Sequence, residues 1–170
     1  RILCAVAEAL HAPRLAPPPK TLYPLGSWLR ALSPAAAAHG GVLTASLQAA
    51  NALLADPRDI AVLHGDLHHE NVLDGGARGW LAIDPKGVLG ERTYEFATTI
   101  MNPDAETAFR PGRIARQASV VAEAAGLEPR RVMRWLLAHA GASAAWCIQD
   151  GFDPTDALKI TEIARAELAA

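Results

Sequence analysis

The stretch that decides the fold runs Ile60-Ala61-Val62-Leu63-His64-Gly65-Asp66-Leu67-His68-His69-Glu70-Asn71-Val72-Leu73. It continues after a turn as Trp80-Leu81-Ala82-Ile83-Asp84-Pro85-Lys86-Gly87. Ile60 to Leu63 is short, apolar and partly β-branched, the composition of a strand. A crowded polar loop, His64 to Asn71, follows it. Val72-Leu73 and Trp80 to Ile83 read as two strands around a glycine-rich turn, Asp74 to Gly79. A hairpin brings its open ends together, so Asn71, which opens the first strand, and Asp84, which closes the second, are expected as near neighbours. Both carry hard oxygen donors of the kind that suits Mg²⁺. Asp66 lies five residues before Asn71, close enough to face the same place, and a carboxylate there can accept a proton from a hydroxyl group.

Outward from this stretch the chain reads as helix. On the N-terminal side, Ile2 to His11 has Ile2, Leu3, Val6 and Leu10 on one side, and the prolines at 13, 17, 18, 19 and 24 then forbid regular structure. Leu25 to Leu32 is one or two helical turns, and Pro34 to Ala38 is a short alanine tract. Val42 to Ala55 is a stronger helix, with Leu43, Leu47, Ala50 and Leu54 sharing a face, and Asp56-Pro57 ends it. On the C-terminal side Asp84 to Gly87 breaks the pattern, and helices are expected over Thr93–Met101, Arg113–Ala125, Pro129–Ile148 and Thr155–Leu168. The fold class is therefore mainly α (α+β), a helical bundle with a small β-hairpin whose loops carry the chemistry.

Two motifs coincide in the deciding stretch. The order His64-Gly65-Asp66-Leu67-x-x-x-Asn71 matches the protein-kinase catalytic loop H-R-D-L-x-x-x-N with Gly65 in place of Arg, and Asp84-Pro85-Lys86-Gly87 stands where the D-F-G element follows. His64-Gly65-Asp66…Asn71 also resembles the aminoglycoside phosphotransferase motif. Ile83-Asp84-Pro85-Lys86-Gly87, with Trp80-Leu81-Ala82 before it and Gly90-Glu91-Arg92 after it, resembles the streptomycin 6-kinase and hydroxyurea-resistance kinase branch. The resemblance runs from the first helix to the region around Ala145-Trp146. It implies a protein-kinase-like C-terminal lobe with Asp66 as catalytic base and His64 bracing the catalytic loop. It also implies ATP and Mg²⁺ as cofactors, both met by Asn71 and Asp84, and a structural acid at Glu95. The implied activity is phosphorylation of a hydroxyl on streptomycin or a related aminoglycoside, conferring antibiotic resistance.

Only Val88 to Glu91 separate Gly87 from the next helical region, which leaves no activation segment for a protein substrate to dock on; a small hydroxyl compound needs none. The other half of a kinase is not encoded: there is no G-x-G-x-x-G, and none of Lys20, Lys86 and Lys159 sits in a V-A-I-K-like strand. Residues 1–170 are accordingly expected to be a single C-terminal lobe without the N-terminal ATP-clamping lobe. Such a chain is expected to fold, to transfer phosphate poorly, and to self-associate through surface that the lobe would cover.

Two other readings compete. His64, Asp66, His68 and His69 are rich in metal ligands and suggest a zinc hydrolase, although their spacing fits no zinc pattern and leaves Asn71 and Asp84 without a part. A non-catalytic kinase-lobe remnant acting as a binding module is the other. Near the C-terminus Asp150, Asp153, Asp156 and Glu162 form an acidic group that either meets a cationic substrate, Asp150 foremost, or starts a helix whose dipole favours acids.

Composition narrows the classes. Apolar residues at 51% and charged residues at 20% describe a globular chain, and a net charge of −2 supplies no basic field for nucleic acid. No apolar run is long enough to span a bilayer and no signal peptide is visible, so a cytoplasmic location is expected. Cys4 and Cys147 each sit in an apolar helical pattern and read as reduced, buried thiols.

Overall fold

The computed structural model describes residues 1–170. In chain order the elements are α1 (Ile2–His11), β1 (Tyr23–Pro24), α2 (Leu25–Trp28), α3 (Leu32–His39), α4 (Gly41–Ala55), β2 (Ile60–Leu63), β3 (Val72–Asp74), β4 (Trp80–Ala82), β5 (Val88–Glu91), α5 (Phe96–Met101), α6 (Ala105–Ala108), α7 (Arg113–Ala125), α8 (Pro129–Asp150) and α9 (Thr155–Ala169). The chain is mainly helical with two small sheets, which is compatible with a kinase-like C-terminal lobe.

Helix α8 is the axis. Pro129 starts it, at a position where a missing N–H leaves no bond unmade. Leu136, Ala138, Ala140, Ala142 and Ala144 are wholly shielded from solvent, because α4 and α9 pack against α8 and α5 and α7 also lie against it. Alanine makes that crowding feasible. At the tightest point, Gly141, an added Cβ would lie 2.4 Å from the Ser46 side chain of α4. The mouth of α9 is held by Asp153, whose Oδ1 accepts from the Thr155 N–H at 2.9 Å and its hydroxyl at 2.6 Å.

The larger sheet has the order β1-β5-β2, with β5 antiparallel to β2 from Ile60↔Glu91 to Leu63↔Val88. The second is the expected hairpin, β3 against β4, registered Val72↔Ala82 and Asp74↔Trp80. Strand β5 is the main departure from the sequence reading, which treats 88–91 as a connector. It forms because Val88 to Glu91 pairs with residues about thirty positions earlier, a contact with no local signature. The far end of β5 is bolted to α8: Arg131 Nε donates to Glu91 Oε1 and its terminal NH₂ to Oε2, both at 2.6 Å, with both side chains almost fully buried.

Other differences are local. The helix expected from Thr93 begins as a 3₁₀ turn, Arg92–Glu95, before α5. The alanine tract lies inside α3. In α4 the fully buried leucine at the C-terminal end is Leu53, while Leu54 is half-buried. Cys4 is buried and Cys147 half-buried, and both are free thiols. No helix is long and apolar enough to cross a membrane.

Candidate active site

The polar loop leaves β2 at Leu63 and is caught at once by Glu95. One carboxylate oxygen accepts the His64 N–H at 2.7 Å and the other accepts the Gly65 N–H at 2.9 Å, while His11 Nε2 lies 3.2 Å away. Glu95 is 1% exposed, so these donors are what make its burial tolerable. His64 spans the site. Its Nε2 lies 2.7 Å from the Ile83 carbonyl, which can only accept, so Nε2 carries the proton and Nδ1 accepts from the Asp66 N–H at 3.3 Å. Gly65 has φ +84°, and a Cβ there would meet Val88 Cγ2 at 2.9 Å and Lys86 Cβ at 3.3 Å. No arginine fits at this position, which accounts for the departure from the kinase pattern.

Beyond Gly65 the loop is tied from both sides. Thr99 Oγ1 on α5 donates to the Leu67 carbonyl at 2.6 Å, and Leu67 itself is fully buried. Asn71 Nδ2 donates to the Asp66 carbonyl at 2.9 Å and approaches His68 Nε2 at 3.1 Å. With the amide nitrogen committed, Oδ1 is the end left for other partners. The hairpin expectation holds at the backbone: the Ile83 N–H donates to the Asn71 carbonyl at 2.9 Å, which sets Asp84 next to that pair. Asp84 adopts φ +57°, a left-handed conformation rare for non-glycine residues and concentrated at functional sites.

Lys86 lies between the two acids. Its Nζ is 2.7 Å from Asp84 Oδ2 and 3.7 Å from Asp66 Oδ2. The hydrogen bond to Lys86 holds the Asp84 carboxyl below the usual range, and the same bond raises the ammonium. An acidic oxygen at Asp84 and an amide oxygen at Asn71 are hard donors that fit Mg²⁺. By contrast, no three His, Cys, Asp or Glu side chains are disposed to hold a metal, and both ring nitrogens of His64 are engaged, so the zinc arrangement is not formed.

Asp66 and Lys86 open onto a cavity of about 290 Å³ whose walls include Trp28, His139, Ser143 and Trp146. The two indoles meet edge to face with centroids 5.7 Å apart. Asp150 is outside this set: it is exposed at the end of α8, one turn past Trp146. Glu162 pairs with Arg165 at 2.7 Å on the exposed side of α9. Sequence reasoning gave no part to Trp28, on α2, or to His139 and Ser143, one turn apart on α8, because they share no motif. The D-P-K-G pattern contains Lys86 but assigns it no role.

His139 is buried, and burial holds its pKa down to about 4. The neutral ring shares a hydrogen bond with the Tyr94 hydroxyl through Nδ1, 2.8 Å away. A folded pKa below the unfolded one means full stabilisation above the ordinary value near 6.5, lost as pH falls toward 4. Roughly 3 kcal/mol of stability is expected to disappear across that window. Urea unfolding at a series of pH values checks this, and His139→Asn should flatten the slope; an equal slope in the variant would assign it elsewhere.

Comparison with known proteins places residues 1–151 within the model of the family described as aminoglycoside/hydroxyurea antibiotic resistance kinase. Streptomycin 3''-kinase from Klebsiella pneumoniae is 51% identical over 156 residues, covering 89% of this chain and 58% of that protein. Hydroxyurea phosphotransferase from Kitasatospora aureofaciens is 34% identical over 114 residues, 67% of this chain and 31% of that protein. Streptomycin 6-kinase from Streptomyces griseus is 32% identical over 126 residues, 69% of this chain and 38% of that protein. The chain thus spans between about a third and three fifths of the length of these relatives. No solved structure matches it.

Proposed function

The chain belongs to the aminoglycoside/hydroxyurea antibiotic resistance kinase family, and from that premise we propose that it is the C-terminal, catalytic lobe of a longer cytoplasmic phosphotransferase. The donor is ATP with Mg²⁺, the acceptor a hydroxyl of streptomycin or a related aminoglycoside, and the consequence antibiotic resistance. The observation that carries this reading is the convergence of Asp66, Asn71 and Asp84 at the open end of one hairpin, in the order the chemistry requires.

Each residue has a part. Asp66, at the wall of the cavity, receives the proton of the acceptor hydroxyl. The acceptor oxygen forms its bond to the γ-phosphorus as the bond from that phosphorus to the β–γ bridging oxygen breaks, and the electron pair leaves with ADP. Asn71 Oδ1 and Asp84 would hold the metal, which would neutralise charge on the phosphates. His64 is a positioning residue: its two ring nitrogens join the end of β4 to the backbone of Asp66. Glu95 holds the first two residues of the loop. The cavity supplies aromatic walls for the ring system and polar groups for its hydroxyls.

The test is phosphate transfer from ATP by the full-length protein against streptomycin, a second aminoglycoside and hydroxyurea. A monophosphorylated streptomycin is the expected product. The 170-residue chain alone should show little turnover, because phosphoryl transfer depends on positioning from both lobes. Absence of transfer by the full-length protein to every acceptor would overturn the proposal, and equal turnover by the isolated chain would remove the need for a second lobe.

A further inference from the structure

The phosphotransferase reading gives Lys86 no duty, yet no side chain in the site is more pointedly placed. Its backbone N–H donates to the His64 carbonyl at 2.7 Å, which pins it to the catalytic loop. Its ammonium lies between Asp84 and Asp66 and lines the cavity beside Asp66. The other two lysines are elsewhere: Lys20 is exposed in the proline-rich segment and Lys159 sits 3.8 Å over the Phe109 ring. No arginine lines the cavity, and His139 is neutral at ordinary pH, so Lys86 is its one cation.

The charge arithmetic makes this placement consequential. Asp66 and Asp84 repel each other and repel any anionic group that approaches between them. A phosphoryl group in transfer is such a group, with its charge spread over three equatorial oxygens. Resting on that reading, we propose that Lys86 is a further charge-neutralising residue of the transfer site. Its ammonium bridges the two carboxylates before nucleotide arrives and faces the phosphoryl oxygens beside Asp66 during transfer. The flexible four-carbon stem allows this, since a shift of the ammonium from Asp84 toward Asp66 needs only side-chain rotation. Lys86 therefore competes with a divalent cation for Asp84 in the first state and supports turnover in the second.

The two halves predict opposite effects of one substitution. In the 170-residue chain, Lys86→Met should tighten Mn²⁺ binding about fivefold to tenfold, read from the electron paramagnetic resonance of free Mn²⁺, because a unit charge beside Asp84 is removed. In the full-length protein, Lys86→Ala should lower kcat about 100-fold with little change in KM for the acceptor, and added ethylammonium should restore part of the loss. Unchanged Mn²⁺ affinity in the isolated chain overturns the proposal whether or not the full-length protein proves to be a kinase. A kcat within about twofold of wild type overturns it as well, and leaves Lys86 as a solvated surface ion pair. If the wild-type protein phosphorylates nothing, the functional reading fails on its own control, and the Mn²⁺ measurement still decides the role of Lys86 toward Asp84.

Discussion

Asp66→Asn in the full-length protein is expected to lower kcat by about 10²–10⁴-fold while affinity for ATP stays nearly unchanged. The asymmetry follows from where Asp66 sits. Its side chain lines the cavity proposed for the acceptor, which is where a base acting on the acceptor hydroxyl has to stand. The substitution should leave the loop in place. The Asp66 backbone keeps its bonds to His64 Nδ1 and Asn71 Nδ2, and neither involves the carboxylate. Asparagine has nearly the same shape but cannot take the proton. Steady-state kinetics with ATP and acceptor varied in turn make the measurement. A variant with unaltered turnover would remove Asp66 from the role of base.

Arg131→Met is expected to cost about 3–5 kcal/mol of stability. Glu91 is 1% exposed, and its two oxygens are met by the Arg131 guanidinium and by the Arg58 N–H at 3.2 Å. Burial alone would push its carboxyl up, but the hydrogen bonds from Arg131 foremost bring it below the usual value. Without Arg131 a buried charge is left with one backbone donor, and the Asp56 carbonyl loses a donor too. Against a typical domain stability of about 5–15 kcal/mol, such a loss brings the fold to its margin. The double variant Glu91→Gln/Arg131→Met should be less destabilised than the sum of the singles, since neither partner is then left charged and alone. Urea denaturation of the three variants supplies the numbers. A loss below about 1 kcal/mol for Arg131→Met would mean that the pair behaves as an exposed one. The effect reaches the site because β5 carries Val88, which packs over Gly65, and directly follows Lys86 and Gly87.

Much of this was legible in the residues. The helices α7, α8 and α9 have an apolar period and clear ends, and they form within two residues of where that period places them. The hairpin followed from two apolar runs around a glycine-rich turn, and its closure put Asn71 beside Ile83. Asp66, Asn71 and Asp84 are candidates on the sequence because the motif that nominates them is a matter of spacing along the chain.

What the sequence could not show depends on contacts between distant residues. Strand β5 reads as a connector until β2 lies beside it. Trp28 from α2 reaches the wall made by His139, Ser143 and Trp146 of α8 through an edge-to-face contact with Trp146, while Asp150 lies exposed at the end of α8, outside the cavity. Glu95 could be named by family likeness, but the reason for an acid there, two backbone N–H groups of the polar loop after β2 converging on one buried carboxylate, appears only in the fold. So the sequence by itself determined which polar groups flank the hairpin and where that hairpin lies, because both are written in short-range order. The tertiary structure alone decided what surrounds them: which cation sits between the acids, which side chains wall the cavity beside Asp66, and why Gly65 admits no side chain. Those are set by packing, and packing has no period along the chain.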